Sequence, residues 1–81
     1  MNETQVYEAV TRVFRATFER EDIDVSATTT ASDIEEWDSL NHVQLILAVE
    51  TEFGIRFKPV EVAGFENVGD MVTAILRQKK S

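Results

Sequence analysis

The stretch that most constrains this chain runs from Ser39 to Phe53, where apolar residues recur at helical spacing. Placed at about 100° per residue, His42, Leu45, Ile46, Val49 and Phe53 fall on one face of the helix. Leu40, Val43 and Leu47 fall on nearly the opposite face, bordered by Gln44, Glu50 and Thr51. Gly54 follows as a C′ stop, with Ile55 placed to fold back on Val49 in a Schellman-type cap. The first stripe suits a core. A chain of 81 residues cannot easily cover both stripes, so the second is either capped by a short element or left for a partner.

The entry to this helix is as informative as its faces. Glu36, Trp37 and Asp38 lead straight into Ser39. Asp38 or Ser39 is placed to act as N-cap, accepting a bond from an orphan amide of the first turn. The Ser39 hydroxyl then lies at the positive end of the helix dipole, where a covalently attached phosphate is stabilised. The ordinary alternative is that Ser39 only caps the helix.

Elsewhere the pattern is also helical. Val6, Val10, Val13, Phe14 and Phe18 give residues 3 to 19 an apolar face, with Glu3, Glu8, Arg12 and Arg15 outward, and Arg20-Glu21-Asp22 ends it. Residues 21 to 38 carry no strong period and offer only Ile23, Val25, Ile34 and Trp37 as anchors. A loop of this length in a small domain is usually functional. Pro59 stands where a helix N1 proline would, so residues 59 to 64 form a short helix anchored by Val60 and Val62. Asn67 and Asp70 have the spacing of a cap and its N3 partner. After them Val68, Met71, Val72, Ile75 and Leu76 make the inner face of a last helix, whose negative end is complemented by Arg77, Lys79 and Lys80. The expected fold is all-α: a small four-helix bundle, three longer helices and one short third helix, with a long loop between the first two. Residues 1 to 81 form one domain.

Composition removes several function classes. There is no cysteine, so disulfides, thiolate metal sites and cysteine nucleophiles are excluded. The net charge of −7 repels nucleic acids and anionic membranes and favours basic partner surfaces. A hydrophobic content of 43% argues against global disorder despite that charge. No apolar run approaches spanning length and Met1-Asn2-Glu3 does not resemble a signal peptide, so a cytoplasmic monomer is expected.

Two constellations invite chemistry and lack the geometry for it. Asp22, Asp24 and Ser26 match the first three ligand positions of a calcium loop, and Asp33 falls at its twelfth position. Ala27, however, replaces the glycine of the sharp turn, and Asp33 is shorter than the usual bidentate glutamate. No metal site is expected. His42 could serve Ser39 as a base, but it lies on the core-facing stripe and is better read as a partly buried, hydrogen-bonded histidine near the loop. Three-residue spacing on one helix does not aim its ring at the hydroxyl, and no pocket or oxyanion hole is evident. No catalytic residue is expected. Ser39 is better read as a substrate, presented to a basic partner by an acidic collar of Asp33, Glu35, Glu36 and Asp38.

Asp38-Ser39-Leu40, followed by Val43, Leu45, Ala48, Glu50 and Phe53, resembles the acyl carrier protein family over essentially the whole chain. The resemblance implies that a phosphopantetheinyl transferase attaches 4′-phosphopantetheine from coenzyme A to Ser39, with Asp38 and Leu40 completing the motif. The arm's thiol would carry acyl groups as thioesters to ligases, acyltransferases or ketosynthases, and the protein itself would catalyse nothing. The stripe of Leu40, Val43 and Leu47 with Glu50 then becomes the expected docking surface. Gln44 and Thr51 stand where fatty-acid-synthase carriers usually have acids. Trp37 replaces the small residue common before the triplet, a pattern more like discrete carriers of polyketide and other specialised pathways. An aminoacyl, D-alanyl or peptidyl carrier is an alternative within this resemblance. An unmodified acidic adaptor that binds through its second helix is the alternative from another class.

Overall fold

The computed structural model describes residues 2–79. Met1, Lys80 and Ser81 lie outside the described residues, and with them the contribution expected from Lys80. The chain forms α1 (Glu3–Phe18), a single 3-10 turn (Ala31–Asp33), α2 (Ser39–Phe53), α3 (Pro59–Ala63) and α4 (Val68–Lys79), with no strand among the described residues. This is the all-α arrangement of three longer helices and a short third one that the hydrophobic periods require.

Local chemistry sets the helix ends. At α1 the Asn2 side chain accepts from the Gln5 amide at 2.8 Å, and the Gln5 side chain accepts from the Asn2 amide at 3.0 Å, a reciprocal capping box. Gly54, at φ +66°, ends α2 in the left-handed region. The Ile55 amide then reaches back to the Glu50 carbonyl at 3.0 Å, the Schellman bond. Pro59 opens α3, where the Lys58 amide donates to Glu61 Oε1 at 2.9 Å. Asn67 Oδ1 accepts from the Asp70 amide at 2.9 Å, the spacing expected before α4.

One core holds these elements together. α1 packs against both α2 and α4. The buried set joins Val6, Val10 and Phe14 of α1 to Leu45 and Val49 of α2 and to Met71 and Ile75 of α4. All four loop anchors, Ile23, Val25, Ile34 and Trp37, are buried in the same cluster, so the loop is part of the core wall. One anchor of α3 differs from expectation. Val62 packs against the core, but Val60 is 75% exposed. The short helix turns only one of its valines inward, and Phe57 and Phe65, which flank it in the chain, meet edge-to-face against the core with ring centroids 5.3 Å apart. Consequently α3 does not cover the outer stripe of α2.

Candidate functional site

The site is built where the long loop meets the first turn of α2. Asp38 is the N-cap, its Oδ1 accepting from the Asn41 amide at 2.9 Å while its carbonyl accepts from the His42 amide at 2.8 Å. Ser39 is therefore the first helical residue and is exposed. Asp38 satisfies the orphan amide, so capping does not require the Ser39 hydroxyl. Of the two residues that could have capped α2, Asp38 is the one that does.

Hydrogen bonds from both directions fix the approach to Asp38. The Asn41 side-chain amide donates to the Glu36 carbonyl at 2.8 Å. Arg20, just past α1, donates to Glu36 Oε1 at 2.8 Å and to both oxygens of Asp22, at 3.0 and 2.7 Å. This guanidinium holds both carboxyls below their ordinary range and is itself held firmly in its charged form. Two of the acids that mimic a calcium loop are otherwise employed. Asp22 is paired with Arg20, and Asp33 accepts from the Thr30 amide at 2.9 Å. Within the acidic collar, Glu36 is thus neutralised, whereas Glu35 and Asp38 remain exposed.

Trp37 and His42 occupy the inner side of the same junction. The indole sits edge-on to Phe14, with ring centroids 5.1 Å apart, and its Nε1 donates to His42 Nδ1 at 2.9 Å. Burial pulls the His42 pKa below its ordinary value of 6.5. Because Nδ1 is engaged by Trp37, it is not directed at Ser39 as a general base. Ala31, Trp37, Asp38, Ser39, His42, Phe65 and Glu66 together line an open cleft of about 500 Å³.

The outer stripe of α2 runs away from this cleft. Leu40 is 75% exposed, Val43 58% and Leu47 57%, so the stripe is uncovered. Gln44 and Thr51 beside it are exposed as well. Glu50 is half-buried, and its Oε2 accepts from the Phe57 amide at 2.7 Å. It therefore ties the end of α2 to the segment leading into α3. Sequence reasoning had His42 partly buried and hydrogen-bonded near the loop, as it is, but missed the Glu50 bond, the Arg20 bridge and the pairing of His42 with Trp37. Only the last had a legible trace, a lone tryptophan and a lone histidine flanking the same helix start.

Comparison with known proteins agrees with this arrangement. A family model described as a phosphopantetheine attachment site matches residues 8–75. The solution structure of a holo acyl carrier protein from Geobacter metallireducens is similar at 35% sequence identity with a TM-score of 0.84, covering 91% of this chain and 88% of that one. None of the curated proteins matches this sequence. The chain belongs to the acyl carrier protein family: it is a carrier and not an enzyme, its cofactor is a covalently attached 4′-phosphopantetheine, and it works with transferases and biosynthetic enzymes. Among the described residues no helix is long and apolar enough to cross a membrane.

Proposed function

We propose that Ser39 is the attachment point of the 4′-phosphopantetheine, donated from coenzyme A by a phosphopantetheinyl transferase. The observation that carries this reading is that Ser39 is exposed at the first position of α2 while Asp38 makes the cap bond. A phosphodiester on that oxygen lies at the positive end of a helix, beside aligned first-turn amides. Asp38 fixes the helix start, and Leu40 adds an apolar contact for a visiting enzyme. When attached, the group supplies a thiol on a flexible arm, which holds acyl groups as thioesters at high effective concentration near partner active sites.

Leu40, Val43 and Leu47 form the docking stripe, with Glu50 at its edge supplying charge as well as holding the Phe57 amide. Suitable partners are acyl ligases, acyltransferases and ketosynthases. The 81 residues act as one carrier domain, monomeric and cytoplasmic. Gln44 and Thr51 make the face less negative than an acid at either position would, and together with Trp37 they favour a specialised pathway, such as polyketide assembly, over fatty-acid elongation.

Intact-mass measurement tests the attachment. Protein incubated with coenzyme A and a broad-specificity phosphopantetheinyl transferase should gain one phosphopantetheinyl group, and Ser39→Ala should gain none. A gain that survives the substitution sinks the assignment.

A further inference from the structure

The bond from Trp37 Nε1 to His42 Nδ1, 2.9 Å long, spans the junction in which Ser39 lies. An indole N–H only donates, so Nδ1 is the unprotonated ring nitrogen and Nε2 carries the hydrogen. Any proton added to His42 must therefore go to Nδ1. There it turns the acceptor into a second donor facing the indole N–H, and the bond is lost. One end of the pair is rooted in the core, since Trp37 is 7% exposed and packs edge-on against Phe14. The other end, His42, shares its cleft with Ser39.

We propose that the Trp37–His42 bond is a proton-sensitive clasp and that His42 is a positioning residue for phosphopantetheine transfer to Ser39. With Nδ1 unprotonated, the clasp holds residues 36 to 38 against the first turn of α2 and fixes how Ser39 is presented. Protonated, it opens and loosens that presentation. The inference rests on Ser39 being the attachment point.

The groups around the imidazole allow this switch. From the loop come Asp38, which caps Asn41, and Glu36, which is paired with Arg20. The segment before α4 brings Glu66 to the cleft. The 3-10 turn contributes Ala31, and α1 reaches the pair through Phe14, neither of which titrates. Burial makes His42 harder to protonate in the folded protein than in the unfolded chain. The clasp is thus favoured at neutral pH and is lost as the pH falls through the folded value, which burial sets below the ordinary 6.5.

The chain has one tryptophan and one histidine, so both partners are observable without ambiguity. NMR of the wild-type chain between about pH 7.5 and about pH 5 should show the indole N–H resonance moving in step with the His42 ring protons. In His42→Gln, whose amide oxygen still accepts but does not titrate, the indole resonance should stay put. The rate of phosphopantetheine transfer, expressed as wild type over His42→Gln to cancel the transferase's own pH dependence, should fall at least about threefold over the same range. Trp37→Phe, which lacks the donor, should be slow at both ends of the range. An indole resonance that ignores the His42 titration overturns the clasp. A transfer ratio that stays level while the resonance moves overturns the positioning role. Absence of transfer to every variant at every pH would refute Ser39 as the attachment point, whereas the indole titration would still judge the clasp by itself.

Discussion

The two faces of α2 are built from the same kinds of residue and have opposite fates. Leu45 and Val49 are completely buried, whereas Leu40, Val43 and Leu47 remain more than half exposed. Both stripes obey the helical period, so period alone does not say which one a fold will cover. The supply of neighbours decides: α1 and the loop anchors Ile34 and Trp37 join the core on one side, and α3 is too short and too narrow to reach the other. A leucine buried against neighbours stabilises the fold. A leucine left in water keeps an apolar surface available to a partner.

Thermal and denaturant unfolding can break that comparison. The largest loss is expected for Leu45→Ala, about 2–5 kcal/mol, because transfer and cavity terms add at a site with no exposed surface. An equal loss for Leu40→Ala would mean that the outer stripe is also structural. Next comes Gly69→Ala, which asks whether the buried face depends on the loop being held down. A Cβ at Gly69 would stand 2.9 Å from the Ala27 carbonyl oxygen, and the Gly69 amide donates to that same oxygen at 3.0 Å. Overpacking there should cost about 1–3 kcal/mol, and a neutral result would show that the loop gives way without disturbing the core.

Smaller effects sharpen the contrast. Asp38→Ala removes the cap on which both faces depend and should cost about 1 kcal/mol in chemical denaturation. Leu47→Ser should change stability by no more than about 0.5 kcal/mol. The same variant should slow acyl transfer to or from a partner enzyme, measured at subsaturating carrier. Unchanged transfer kinetics would remove Leu47 from the docking surface. Glu50 is a poorer probe, because substituting it also releases the Phe57 amide.

Much of this was legible in the chain itself. The four helices, the Gly54 stop and the Asn67 cap all follow from interactions that close within a few residues, which is the range over which sequence patterns are informative. The loop anchors were legible for a different reason: Ile23, Val25, Ile34 and Trp37 are the large apolar residues in a polar segment, and all four are buried. Val60 was not legible. Two valines flank Glu61 in a five-residue helix, and choosing the inward one requires knowing where the core lies.

The candidate site divides along the same line. The tripeptide Asp38-Ser39-Leu40 and the helix behind it marked the proposed attachment point, and the positive end of α2 is a setting that suits a phosphate. By itself the sequence determined the helices, the Gly54 stop, the Asn67 cap and the serine at the start of α2, because those depend on neighbours in the chain. Only the tertiary structure decided that Asp38 rather than Ser39 makes the cap, that Trp37 clasps His42, that Glu50 holds Phe57 and that one stripe of α2 stays bare. The cap was a choice between two adjacent residues that the backbone path alone resolves. The other three depend on how separate segments come together, and no pattern within a single segment records that.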